Sequence, residues 1–298
     1  MRIALTGVSG FIGSITARNL AQAGHQVTGL VRATSRRDHI EPHVDRFVIG
    51  DHADESCWDE LLDGADCVVH NSADWRSIKA GADGFADHLG SNLAGSLKLL
   101  KASAPRQFVF VSTIAVHHDM RPKWNGLIDE DHPSRPGSDY GAYKAAVEAH
   151  LWSEHFSKGR HTSAVRPCAV YGIDPDLSRS IGHPIVKKVR AGQRVDRAGG
   201  GKFVHVDDVA GAITAIVGND AASGHVYNLA DCYARWGDFA LWAANILGVE
   251  ADVDLSSPAE PKNVFAKDAA ASLGVPLDRG HAGLRAHLSE LIGLMGEG

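Results

Sequence analysis

The chain has 298 residues but only four cysteines, Cys57, Cys67, Cys168 and Cys232, and no two of them make a C-x-x-C pair. A zinc knuckle or a redox dithiol is therefore not indicated, and the thiols read as reduced, packed side chains. No apolar run approaches the roughly 18 residues of a membrane span, and Met1-Arg2-Ile3 opens a strand rather than a secretory signal. A cytoplasmic protein without a membrane partner is expected. Basic charge is not in excess either: 30 Lys and Arg stand against 36 Asp and Glu, for a formal net charge of -6. Nucleic acid demands a basic surface, so no such partner is expected. Repeats and low-complexity tracts are missing. The pair His117-His118 before Asp119 has no third ligand at a usable spacing, and neighbours on an extended chain point apart, so no metal is expected.

What is present begins at the first strand. Residues 3–13 read I-A-L-T-G-V-S-G-F-I-G, an apolar strand running into Gly7, Gly10 and Gly13 and then into a helical pattern. Gly7 permits a tight turn, Gly10 lets the backbone approach a pyrophosphate, and Gly13 lets the new helix pack on the strand. The helix N-terminus then offers free N–H groups and partial positive charge to phosphate. A second strand at 26–32 completes a βαβ unit, which separates this motif from an ordinary glycine turn.

Further apolar β-type runs at 47–50, 67–71, 107–113 and 162–166 alternate with helical patterns at 11–23, 56–63, 87–103 and 138–158. Such alternation predicts an α/β fold with a doubly wound parallel (Rossmann) sheet, its strands buried on both faces. After Tyr171-Gly172 the texture becomes rich in Pro, Gly and charge. The dinucleotide-binding domain is therefore expected at 1–172 and 202–230, with a smaller, mostly helical substrate lobe at 173–201 and 231–298. A lobe fed from the carboxyl ends of the strands would cover the cofactor.

Two groups carry the chemistry. Tyr140 and Lys144 lie four residues apart, on one face of a helix, and the strand before them ends in Ser112-Thr113 at the carboxyl edge of the sheet. A free tyrosine titrates near 10, and lowering it by roughly three units takes about 4 kcal/mol of preference for the phenolate. A nearby ammonium and a positively charged nicotinamide are expected to supply that. Thr113 would align the substrate oxygen while Tyr140 exchanges its proton.

These residues, with Gly50-Asp51, Val68-Val69-His70, Asn92, Gly95, Glu148, Arg166-Pro167, Tyr171-Gly172 and Phe203-Val204-His205-Val206-Asp207-Asp208, resemble in order the extended short-chain dehydrogenases/reductases, also called the NAD-dependent epimerase/dehydratase family. The resemblance implies that Thr113, Tyr140 and Lys144 form the catalytic triad and that Gly7, Gly10, Phe11 and Ile12 contact the pyrophosphate. It also implies that Asp51 contacts adenine, that Lys144 binds the nicotinamide ribose, and that the segment from Arg166 and Pro167 to Ala169 forms a shelf beside the nicotinamide. A homodimer built from the helices at 87–103 and 138–158 is a further implication.

Three departures refine the expectation. The second strand ends in Leu30-Val31-Arg32 without an acidic residue for a ribose diol, and Arg36 and Arg37 follow, so NADP is favoured and NAD remains the alternative. Where nucleotide-sugar members carry an arginine, the approach to Phe203 is Ala198-Gly199-Gly200-Gly201-Lys202, and a lysine offers charge without a fork. The family's Val-Tyr-Gly is Val116-His117-His118, followed by a loop holding Trp124. The leading expectation is an NAD(P)-dependent oxidoreductase interconverting a secondary alcohol and a carbonyl by hydride transfer, with Tyr140 as acid/base and a small molecule as substrate. The alternatives are a sugar or nucleotide-sugar epimerase that retains NAD, and a non-catalytic nicotinamide sensor.

Overall fold

The computed structural model describes residues 1–118 and 126–296; Asp119 and Trp124 lie outside the described residues. In chain order the strands are β1 (Arg2–Thr6), β2 (Gln26–Val31), β3 (Arg46–Ile49), β4 (Cys67–His70), β5 (Gln107–Val111) and β6 (Leu127–Ile128). They continue with β7 (Thr162–Pro167), β8 (Ala169–Tyr171), β9 (Gly200–His205), β10 (Val226–Leu229), β11 (Cys232–Arg235) and β12 (Val264–Phe265). Seven of these form one sheet in the order β10-β7-β5-β4-β1-β2-β3, every neighbouring pair parallel. This is the expected doubly wound Rossmann-like sheet. The order reverses between β1 and β4, which opens a crevice above their carboxyl ends.

The pleat explains why the strands read as unbroken apolar runs. Ile3, Leu5, Val69 and Val109 face a core made with the helices Phe11–Gln22 and Val206–Ile216. Ala4, Val68, Phe108 and Phe110 face the opposite core, with Leu99 and Leu100 of the helix Gly95–Ala102 and Val147 and Leu151 of the helix Asp139–Lys158. Successive side chains point to opposite faces, so a strand covered on both sides must be apolar at every position.

A third core joins Tyr171 and Phe203 to the helices His183–Arg190, Trp236–Leu247 and Gly280–Leu294. Beside it lies a three-stranded sheet in the order β11-β9-β8. Two features differ from the sequence expectation. β9 belongs to this small sheet rather than to the large one, and Ala270, Val275 and Leu277 pack back onto the first core of the large sheet. The return is fastened by Lys267, whose ammonium donates to Asp231 at 2.9 Å and to the Leu277 carbonyl, while Asp231 also accepts from the Gly280 amide at 2.7 Å. Lobe and sheet are thus tied together next to the crevice. Among the described residues no helix is long and apolar enough to cross a membrane.

Candidate active site

At the end of β1 the chain turns through Gly7, whose φ of 70° is left-handed, and the Gly10 amide donates to the Gly7 carbonyl at 3.1 Å. A Cβ on Gly13 would stand 2.0 Å from the Gly7 oxygen, so only glycine lets the helix come this close. The helix Phe11–Gln22 has no side-chain cap and no acidic residue in its first turn. Its leading N–H groups, those of Phe11 and Ile12 among them, therefore remain as anion donors at the reversal point of the sheet, which suits a pyrophosphate.

Behind the turn runs a buried polar chain. The Thr6 hydroxyl oxygen accepts from the amides of Asn71 at 3.1 Å and Ser72 at 3.2 Å, which leaves its proton for His70 Nδ1 at 2.8 Å. His70 Nε2 then carries the hydrogen and donates to Ser96, which donates to the Asn92 carbonyl at 2.5 Å. Burial holds the His70 pKa well below the ordinary range, so this histidine is a neutral strut.

Asp51 and Arg32 meet at the carboxyl ends of β3 and β2. The Asp51 carboxylate accepts from His52 at 3.1 Å and from the Ala53 amide at 3.1 Å, and these bonds, with the nearby Arg32 charge, hold it at about 2. Arg36 is taken by Asp38 at 2.8 Å, and Arg37 lies 5.6 Å over the Phe47 ring. The Arg32 guanidinium has no ion pair or ring contact among the described residues.

The candidate catalytic side chains come from the turn just after β5 and from the helix Asp139–Lys158. Ser138 caps that helix by accepting from the Gly141 amide at 3.2 Å, and Gly159 ends it in the left-handed region. Tyr140 lies one turn in, its phenol beside the Thr113 hydroxyl, whose oxygen accepts from the Ala115 amide at 3.1 Å. Burial pushes the phenol up to about 12 and outweighs the favourable influence of Thr113. Lys144 is wholly buried beneath it. The ammonium donates to the Val111 carbonyl at 2.5 Å and sits 4.4 Å over the Phe110 ring and 6.0 Å from the centre of the Tyr140 ring. Burial brings it down to about 7. The acidic phenol expected from sequence is thus not produced by the chain alone, because Lys144 serves the end of β5 and desolvation opposes the phenolate.

Arg166 has a structural partner. Its side chain is fully buried and forks onto Glu148, with Nη2 to Oε2 at 2.7 Å and Nε to Oε1 at 3.0 Å, while Ser112 donates to the same carboxylate. The guanidinium therefore braces β7 against the catalytic helix, and the following Pro167 ends that strand. His117 completes the brace. Arginine can only donate, so His117 Nε2 accepts from Arg166 at 3.2 Å and Nδ1–H donates to the Pro133 carbonyl at 3.2 Å. Burial and the Arg166 charge lower its pKa to about 4.

Sequence reasoning missed two features. Trp75 lays its ring on Tyr140 with centroids 5.2 Å apart, and Glu130, raised by burial, accepts from the Asn228 amide at 2.8 Å. Neither sits in a patterned stretch. Lys202, which the sequence offers as a substitute for an arginine, has its ammonium 5.7 Å from the Phe265 ring and is lowered by burial.

The model of the NAD dependent epimerase/dehydratase family matches residues 3–230. A dTDP-glucose 4,6-dehydratase of Streptomyces niveus is 30% identical over 249 residues, covering 77% of this chain and 72% of that protein. A UDP-glucose 4-epimerase of Mycolicibacterium smegmatis is 28% identical over 243 residues, covering 77% of each. Among solved structures, the UDP-glucose 4-epimerase of Thermotoga maritima with UDP-glucose aligns over 100% of this chain and 99% of its own, at a TM-score of 0.82 and 20% identity. That of Thermus thermophilus with NAD covers 98% and 99%, at 0.77 and 23%. With a glycine cradle, a Thr113-Tyr140-Lys144 cluster and a family match spanning both, the chain belongs to the NAD-dependent epimerase/dehydratase family of extended short-chain enzymes.

Proposed function

We propose that this chain oxidises a secondary alcohol of a sugar, free or nucleotide-linked, and returns the carbonyl to an alcohol in the same site, as an epimerase does. The observation that carries the reading is the Tyr140 phenol set beside the Thr113 hydroxyl just past the carboxyl end of β5, with Lys144 buried one turn further along the same helix. Two hydroxyls so placed address one substrate oxygen: Thr113 orients it and Tyr140 exchanges its proton. Lys144, brought to about 7 by burial, is poised to gain or lose a proton near neutrality. A bound nicotinamide dinucleotide supplies the electron-pair acceptor, and its ring charge favours the phenolate. The uncapped helix at Phe11 and Ile12 would hold the pyrophosphate, Asp51 the adenine, and Arg32 a 2′-phosphate, which favours NADP although relatives of this fold are solved with NAD.

The dehydratase branch loses ground because Ile114-Ala115 stand where its acid pair belongs. A second reading, a net oxidoreductase that releases its dinucleotide each cycle, draws on Gly201-Lys202, which leave the diphosphate of a nucleotide sugar without an arginine fork. Protein loaded with NAD or NADP is incubated with UDP-glucose, dTDP-glucose and free hexoses. An epimer formed without net change in nicotinamide absorbance supports epimerisation; a net change supports the second reading. Tyr140→Phe should lose at least about 100-fold in turnover and keep its cofactor. Unchanged turnover in that variant removes Tyr140 from the acid/base role; no turnover of any probe by cofactor-loaded wild type removes the enzymatic reading and leaves the sensor.

We also infer a homodimer. Phe156 on the catalytic helix is 79% exposed, and Phe85 and Leu89 on the neighbouring helical segment are 43% and 38% exposed, more apolar surface than a lone helical face normally leaves in water.

A further inference from the structure

Trp75 opens the short helix Trp75–Lys79 that follows β4, at the carboxyl edge where the crevice opens, and it is 52% exposed. Its ring lies on that of Tyr140 at 5.2 Å and 30°, and Tyr143 meets the same Tyr140 ring edge-on at 5.7 Å. The phenol ring is therefore gripped between an inner tyrosine and an outer indole. The indole does not hang loosely. The preceding peptide, that of Asp74, is bracketed by the buried Asn92, whose Oδ1 accepts from the Asp74 amide at 2.7 Å and whose Nδ2 donates to the Asp74 carbonyl at 3.2 Å. Asn92 Nδ2 also reaches the Ser77 hydroxyl at 3.2 Å, and the Asp74 carboxylate accepts from the Arg76 amide at 3.1 Å. Asn92 Nδ2 also lies 3.0 Å from His88 Nδ1; a buried side chain that brackets the Asp74 peptide from both sides and is itself anchored in this way fixes the direction of the residue that follows.

A large apolar ring that merely stabilised the fold would be turned inward, since full burial of such a side chain contributes several times more than half burial. Here the rigid turn keeps half of the indole in solvent beside the reacting group. We propose that Trp75 is a specificity-determining residue: its indole forms the wall of the crevice on which the C–H face of a cyclic substrate, a hexose ring, stacks while its carbinol meets Tyr140. This rests on the functional reading above. The indole offers a flat, weakly polar surface to a ring and little to a short open chain, so it selects for cyclic alcohols.

The test uses NAD-loaded protein with UDP-glucose, dTDP-glucose, methyl glucoside and 2-butanol as probes, comparing wild type, Trp75→Phe and Trp75→Ala by binding and by steady-state kinetics. Trp75→Ala should weaken binding of the tightest cyclic probe, and raise its KM, at least 10-fold with kcat within threefold; Trp75→Phe should recover most of that loss, and 2-butanol should be indifferent. Emission that changes when the cyclic probe is added to wild type should lose that change in Trp75→Phe, a readout that survives even if the alanine variant fails to fold. Cyclic probes bound equally by wild type and Trp75→Ala overturn the proposal and leave the functional reading standing. A fall in kcat with KM unchanged also overturns it, since that reports only a displaced Tyr140. Failure of every probe to bind wild type overturns both.

Discussion

At the scale of single residues, the adenosine end shows how a charge acquires meaning from what surrounds it. Three arginines cluster after β2, but Arg36 is neutralised by Asp38 and Arg37 covers Phe47, whereas Arg32 stands beside Asp51 at the strand ends. A guanidinium free to fork suits a dianionic phosphate, and a ribose diol would prefer a carboxylate in the same place. Wild-type protein should therefore bind NADP at least about 10-fold more tightly than NAD, and Arg32→Ala should lose that margin while binding NAD nearly unchanged, because one charge-assisted contact contributes on the order of 1.5–3 kcal/mol. Titration with both dinucleotides checks this; equal or tighter binding of NAD by wild type refutes it. The same scale exposes the weakest point of sequence reasoning. A spacing of four places Tyr140 and Lys144 on one helix face, yet nothing in that spacing says that the ammonium will turn to the Val111 carbonyl.

At the scale of elements, the catalytic helix is held by the brace of Glu148, Arg166 and His117 as much as by its apolar face. Arg166 and Glu148 are both 0% exposed, and a buried ion pair survives only when its remaining donors and acceptors are filled. His117 fills one, and it does so as a neutral ring. Its pKa in the folded state is about 4 against an ordinary 6.5, so between those values the unfolded chain binds the extra proton. Stability from this group is present above about pH 6.5 and lost as pH falls through 4, a loss on the order of 3 kcal/mol. His117→Gln keeps an acceptor for Arg166 and a donor for Pro133 but cannot titrate. Urea midpoints measured at pH 7.5 and 4.5 should fall less in this variant than in wild type; equal falls would show that the ring plays no such part.

The large strands were legible because burial on both faces leaves a continuous apolar record, as in Phe108-Val109-Phe110-Val111. The small sheet was not, since β8 and β11 are three and four residues long and share no such pattern. The resemblance pointed to Arg166 as part of a cofactor shelf, but the carboxylate that claims its side chain lies 18 positions away on another element. Trp75 over Tyr140 is likewise a contact between two helices 65 positions apart in the chain, and periodicity does not reach across such a distance.

At the scale of the whole molecule, the two cores of the sheet are unequal in what lies outside them. One is covered by the helices Phe11–Gln22 and Val206–Ile216, fastened further by Arg18 to Asp207 at 2.6 Å and by the returning segment that carries Ala270 and Val275. The other is covered by the helix Asp139–Lys158 and its neighbour Gly95–Ala102, with no returning segment over them among the described residues, and it is there that Phe156, Phe85 and Leu89 are exposed. A self-complementary pairing of these helices about a two-fold axis would bury the apolar surface and steady the helix that carries Tyr140 and Lys144. Light scattering of wild-type protein at micromolar concentration should give twice the 31.7 kDa chain mass. Phe156→Glu places a charge in the inferred contact, so it should shift the species toward monomer while the cofactor still binds, because the helix that follows the glycine turn packs on the opposite face of the sheet. A wild-type monomer, or a glutamate variant that dimerises as well as wild type, would show that this helical face is left to water.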